Sequence, residues 1–162
     1  MIDFAPYQRQ AKRTAIYKRR MTFAYLIPAV ADEALEVTET MRGSDEEWDE
    51  LGDLCWTTVM LRAALALPLT IEPFTGGCRR VDHLEAPARW LIHRWTKIAR
   101  DRAGVPDADD RVFLDEVTTK ILRLVISLCE RRGTTIDYLM TDNLDKLSGR
   151  AKRGTLAGSG IR

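Results

Sequence analysis

The sequence predicts an all-α fold, and three observations predict it. Apolar residues recur at alternating spacings of three and four along several long stretches, no stretch reads as a strand, and Gly and Pro mark where most of those stretches end. A chain of 162 residues suits a single domain spanning 1–162, or a protomer that completes its core by association.

Residues 5–20 predict a basic first helix, with Pro6 tolerated in its first turn and Tyr7, Ala11, Thr14 and Ala15 turned inward. The next helix is expected over 25–41, where Ile27, Val30, Ala34, Val37 and Met41 form an apolar stripe. After a turn at Gly43 and Ser44, a second long helix is expected over 45–67. Asp45 is its candidate N-cap, Glu46, Glu47 and Asp49 favour its dipole, and Leu51, Leu54, Thr58, Leu61 and Leu65 form its stripe. Gly52 inside this helix costs about 1 kcal/mol relative to Ala. A partner helix or a phosphate must therefore approach closely there, packing being the commoner reason.

From 68 to 110 the pattern changes. Pro68, Pro73, Gly76 and Gly77 break regular structure, and Pro87 opens a helix over 88–102 with Leu91, Trp95 and Ile98 on one side, closed by Gly104 and Pro106. A helix over 112–130, capped by Asp109 or Asp110, carries Leu114, Val117, Ile121, Leu124 and Leu128 and ends at Gly133. The last helix, capped by Thr134 or Thr135, turns Ile136, Met140, Leu144 and Leu147 inward, with Asn143, Lys146 and Arg150 on a neighbouring polar line. Residues 151–162 are basic and Gly-rich, a flexible tail that orders only against a ligand or a neighbouring subunit.

The 25 Lys and Arg nearly balance the 24 Asp and Glu, and a net charge of +1 argues against a general nucleic-acid binder. Basic residues instead gather near the two ends, while acids fill the middle of the first half. Cys55, Cys78 and Cys129 are an odd number and widely spaced, which excludes full pairing within one chain and any Cys-x-x-Cys metal motif. The longest apolar run, 57–71, is broken by Arg62 and Pro68 and is too short for a bilayer, and the first residues carry no signal pattern. A soluble cytoplasmic protein without a membrane partner is expected. His83 and His93 lack metal-ligand spacing, and Arg79 with Arg80 reads as a solvated basic turn.

The chemistry-bearing residues are two acidic pairs, Glu33 with Glu36 and Glu50 with Asp53. Each pair is spaced by three on a predicted helix, so each points two carboxylates the same way, beside the buried stripe. A helical hairpin would bring all four to the border of the core. Carboxylates held that close repel unless a cation lies between them, and a hard divalent ion such as Mg2+ is the usual one. The alternative, ordinary solvated surface, suits Asp45, Glu46, Glu47 and Asp49; phase alone does not exclude it for the two pairs.

The order E-x-x-E, a gap, then E-x-x-D resembles the MazG-like all-α nucleoside triphosphate pyrophosphohydrolases. Matching features are Tyr7-Gln8 with Ala11, Thr14 and Tyr17, Leu54-Cys55-Trp56 after the second pair, and Asn143-Leu144-Asp145-Lys146-Leu147 with Arg150, Arg153-Gly154 and Gly158-Ser159-Gly160. Leu35 stands where the family often has Gly, and Ile161 where its tail often has Asp. The resemblance covers about 5–66 and 113–162, so the partly helical block at about 68–110 reads as an insertion.

The resemblance implies Mg2+-dependent hydrolysis of a common or modified nucleoside triphosphate to the monophosphate and pyrophosphate, with Mn2+ as a possible substitute ion. Glu33, Glu36, Glu50 and Asp53 would bind the metal, with Glu36 or Glu50 orienting water. Asn143, Lys146, Arg150 and Arg153 would contact the substrate. It also implies a homo-oligomer, dimer or tetramer. The rival reading is a non-catalytic helical interaction module or nucleotide-binding protein of the same descent, against which stands the retention of all four acids. A di-iron bundle fails because neither His follows a Glu by three. Trp48, Trp56 and Tyr17 are candidates to stack on a base, although aromatic residues at helical spacing more often belong to the core.

Overall fold

The two helices with the acidic pairs form a hairpin at the centre of the fold. In the computed structural model, which describes residues 1–15, 17, 18, 21–73 and 80–155, these are α2 (Thr22–Glu39) and α3 (Asp45–Ala64). They are preceded by β1 (Ile2–Asp3) and α1 (Ala5–Ala11) and followed by β2 (Thr70–Ile71), α4 (Glu85–Arg102), α5 (Ala108–Arg131) and α6 (Ile136–Lys152). The all-α expectation holds apart from one short antiparallel ladder, in which Ile2 faces Ile71 and Asp3 faces Thr70.

Local chemistry moves several boundaries. The first helix does not run over 5–20: α1 stops at Ala11, a 3-10 turn covers Lys12–Thr14, and Ala15 is extended. The Ala11 carbonyl that would accept the next helical bond takes the Thr14 hydroxyl at 2.7 Å and the Trp56 indole N–H at 3.4 Å instead. Ser44, not Asp45, caps α3. Its Oγ accepts the Glu47 N–H at 3.0 Å, while the Glu47 carboxylate accepts the Gly43 N–H at 2.8 Å. Asp107 caps α5, with Asp110 reciprocating in a capping box. Thr135 caps α6. α4 begins two residues before Pro87, still within the first turn where a missing N–H costs no helical bond.

One contiguous buried cluster draws on all six helices, including Tyr7, Val30, Val37, Leu54, Leu61, Leu91, Ile121 and Leu147. The α2 stripe ends at Val37, because Met41 lies beyond the helix and is exposed. The block at 68–110 contributes Val81, Leu84, Ala88, Leu91 and Ile98 to the same cluster, with α4 packed against α2 and α5. Glu47 is not solvated surface, as its position in a charge run suggests, but buried between Arg131 and Arg132. Among the described residues, no helix is long and apolar enough to cross a membrane. Cys78, Arg79, Gly76, Gly77 and the tail features from Gly158 to Arg162 lie outside the described residues, as do Arg19 and Arg20.

Candidate functional site: an acidic cluster between three helices

The phase of α2 and α3 delivers the acids to one place. Glu33, only 5% exposed, comes from α2, and Glu50 and Asp53 come one turn apart from α3; each offers a carboxylate oxygen within 4.8 Å of the others. This trio could hold a metal ion. Glu36, the fourth acid, is one turn along α2 from Glu33, on the exposed side of the cluster, close enough for its charge to act on Glu33.

The electrostatics are those of crowded, partly dehydrated negative charge. Burial pushes the Glu33 carboxyl up to about 9, helped by the charges of Asp53, Glu36 and Glu50. Glu50 rises to about 7, again through burial first and then Glu36 and Asp53, with Lys146 pulling the other way. No Lys or Arg among the described residues forms an ion pair with Glu33.

α6 supplies the positive and neutral partners. Asn143, Lys146 and Arg150, spaced by three and four, share one helical face toward α3. Asn143 Nδ2 donates to Asp53 Oδ1 at 2.9 Å, and Lys146 Nζ donates to Asp53 Oδ2 at 3.0 Å and to the Asp49 carbonyl at 3.2 Å. The Arg150 guanidinium is 3.9 Å from Asp53. Gly52 is the point of closest approach: a Cβ there would lie 2.9 Å from Asn143 Nδ2 and 3.2 Å from Asn143 Cβ. The glycine inside α3 is therefore explained by a partner helix.

The structure thus brings seven of the eight sequence-predicted residues together: Glu33, Glu36, Glu50, Asp53, Asn143, Lys146 and Arg150. Arg153, the C-cap of α6, is exposed with its guanidinium over Gly149, and it pairs with none of the four acids. Sequence reasoning missed one member. The buried Tyr7 hydroxyl donates to Asn143 Oδ1 at 2.8 Å. Burial, then the Cys55 thiol and the Asp53 charge, raise its pKa well above the ordinary value, so it stays a donor. The inward phase of Tyr7 on α1 was the available signal, but a contact across 136 residues leaves no local trace.

The aromatic candidates have packing roles. Trp56 is buried and meets the edge of Tyr17, which stacks on Tyr25 at 5.1 Å; Trp48 donates to Asp142 at 2.8 Å and packs on Tyr138. A separate cleft of about 570 Å³ along α5, lined by His83, Thr119, Lys120, Arg123 and Leu124, contains none of the four acids. Comparison of the chain with family models, curated proteins and solved structures finds no match.

Proposed function

We propose that the protein hydrolyses a nucleoside triphosphate to the monophosphate and pyrophosphate in a Mg2+-dependent reaction, with Mn2+ able to replace Mg2+. The supporting observation is a charge deficit. Four carboxylates gather where, among the described residues, only Lys146 and Arg150 pair with them, both on Asp53, and Glu33, the most buried of the four, pairs with no described cation. All donors are hard oxygens, the set a magnesium ion prefers, so the residues present fit the ion.

Glu33, Glu50 and Asp53 would hold the metal, with Glu36 on its open side. When bound, the ion supplies Lewis-acid polarisation of phosphoryl oxygens and activation of water. The chain's own residues do the rest. Lys146 and Arg150 neutralise the phosphates, Lys146 turning from Asp53 to a phosphoryl oxygen. Glu36, the acid outside the trio, orients the attacking water and takes its proton at a carboxylate oxygen. The family resemblance adds a homo-oligomer to this reading, and the widely spaced cysteines suit a cytoplasmic setting.

The test is incubation of the purified chain with Mg2+ and a panel of common and modified nucleoside triphosphates, with products separated and identified. Monophosphate plus pyrophosphate is the expected result. Diphosphate plus phosphate would redirect the reaction class, and no turnover would favour a non-catalytic module.

A further inference from the structure

We propose that Tyr7, acting through Asn143, is a positioning residue that fixes the orientation of the Asp53 carboxylate for a divalent cation. This rests on the reading of the acidic cluster as a metal site, and it assigns a task to two residues that do not themselves touch the ion.

Asp53 is held by two unlike donors. Lys146 grips Oδ2 with a charge at the end of a flexible stem, the group that an arriving phosphate competes for. Asn143 grips Oδ1 from a short, neutral side chain that is only 3% exposed. Once Lys146 turns to a phosphate, Asn143 remains to define where the lone pairs of Asp53 point. Its neutrality matters as well: a Lys or Arg at this position would hold Asp53 equally well but would offset the negative charge that attracts a cation.

An amide alone can present either of its ends, and Tyr7 removes the choice. A carboxylate has only acceptors, so the amide must turn its NH2 toward Asp53 and its oxygen away. That oxygen receives the Tyr7 hydroxyl at 2.8 Å. The chain of donors therefore runs one way, from the Tyr7 hydroxyl to the Asn143 oxygen and from the Asn143 NH2 to Asp53. Reversal would set oxygen against oxygen at one end and leave an N–H facing the phenol at the other.

Gly52 is an independent sign of the same arrangement. The residue next to Asp53 is left bare at a helix interior position, where Ala is the more stable choice. A methyl group there would meet Asn143 Nδ2 at 2.9 Å, so it would displace the amide without removing any hydrogen-bonding group.

The test titrates Mn2+ alone into the full chain, read by electron paramagnetic resonance, with thermal melts of the metal-free proteins alongside. Wild type should bind Mn2+ and Asp53→Asn should lose it. Tyr7→Phe and Gly52→Ala should each weaken binding at least threefold. Val125→Ala, a cavity at a buried position of α5, a helix that supplies none of the cluster residues, should lower the melting temperature and change the Mn2+ dissociation constant less than threefold. Should Tyr7→Phe not fold, Gly52→Ala carries the same test. An effect under threefold in the folded variants overturns the positioning role and leaves the metal reading intact. An equal loss in Val125→Ala also overturns it, since general destabilisation would then suffice. Wild type that binds no Mn2+ overturns both.

Discussion

Two groups of buried carboxylates in this fold are treated in opposite ways. Glu47, 1% exposed, lies between the guanidiniums of Arg131 and Arg132 and accepts the Gly43 N–H at 2.8 Å. Burial alone would raise its pKa, but the Gly43 amide and the two arginines outweigh it and hold the carboxyl below the usual range. Asp110, fully buried, likewise meets Arg94 at 2.6 Å and the Asp107 N–H at 3.0 Å. Glu33 is buried nearly as deeply, yet other acids surround it. The first group is neutralised by the chain itself and ties elements together. The second has no such partner for Glu33 among the described residues and answers its crowding by raised carboxyl pKa values instead; on the proposed reading, that missing counter-charge is what a bound cation would supply.

The largest effect that would break this contrast belongs to the uncompensated group. Asp53→Asn and Glu50→Gln should each lower pyrophosphate release at least 1000-fold, about 4 kcal/mol in barrier, while metal-free melts stay at or above wild type. Pyrophosphate release near the wild-type rate in either variant would remove the functional meaning of the deficit. On the compensated side, Glu47→Ala should destabilise by about 2–3 kcal/mol, because it strands two half-buried guanidinium groups and the Gly43 N–H. Urea denaturation measures this, and turnover per folded molecule should change little.

The pH dependence sharpens the comparison. Glu33 and Glu50 have folded-state pKa values raised to about 9 and about 7 from 4.5. Between those limits the folded state holds protons that the unfolded state has released, so stability is full below about pH 4.5 and declines as pH rises. Metal-free protein should lose melting temperature from pH 5 to pH 9, and saturating Mg2+ should flatten the slope by making ionised carboxylates favourable. A flat profile in chelator would show that the cluster carries no strain. Glu33→Gln should raise the melting temperature in chelator at pH 8, since a neutral side chain has no proton to take up on folding; the smallest effect is expected from Glu50→Gln, which is half-buried rather than buried.

The helical stripes and the two acidic pairs were legible because both are local matters of phase. Ile27, Val30, Ala34 and Val37, and Leu51, Leu54, Thr58, Leu61 and Leu65, are all buried as their spacing requires. Gly52 was legible as a point of close approach, though only the structure shows Asn143 as the partner. What could not be read depended on distant side chains. Glu47 looks like any first-turn acid until Arg131, 84 residues away, is brought against it. α1 is shortened by competition for the Ala11 carbonyl, in which Trp56 comes from 45 residues away. The block at 68–110 shows its apolar residues plainly, but whether Leu91 and Ile98 joined this core or faced another protein was not a local question.

Arg62, which in the sequence merely interrupts an apolar run, has a consequence for how the chain assembles. Its buried guanidinium donates to the Pro68 carbonyl at 2.7 Å, to Thr118 at 2.8 Å and to Thr119 at 2.9 Å, and pairs with Asp115 at 2.8 Å. Most of these partners belong to α5, more than 50 residues further along. Until α5 docks, a collapsed hairpin of α2 and α3 would either bury a charge that has found few acceptors or leave that end of α3 wet. Half-docked forms are penalised on the folding pathway. Arg62→Ala should therefore accelerate unfolding more than it slows folding if these contacts form only once α5 docks, and the two arms of its chevron measure this.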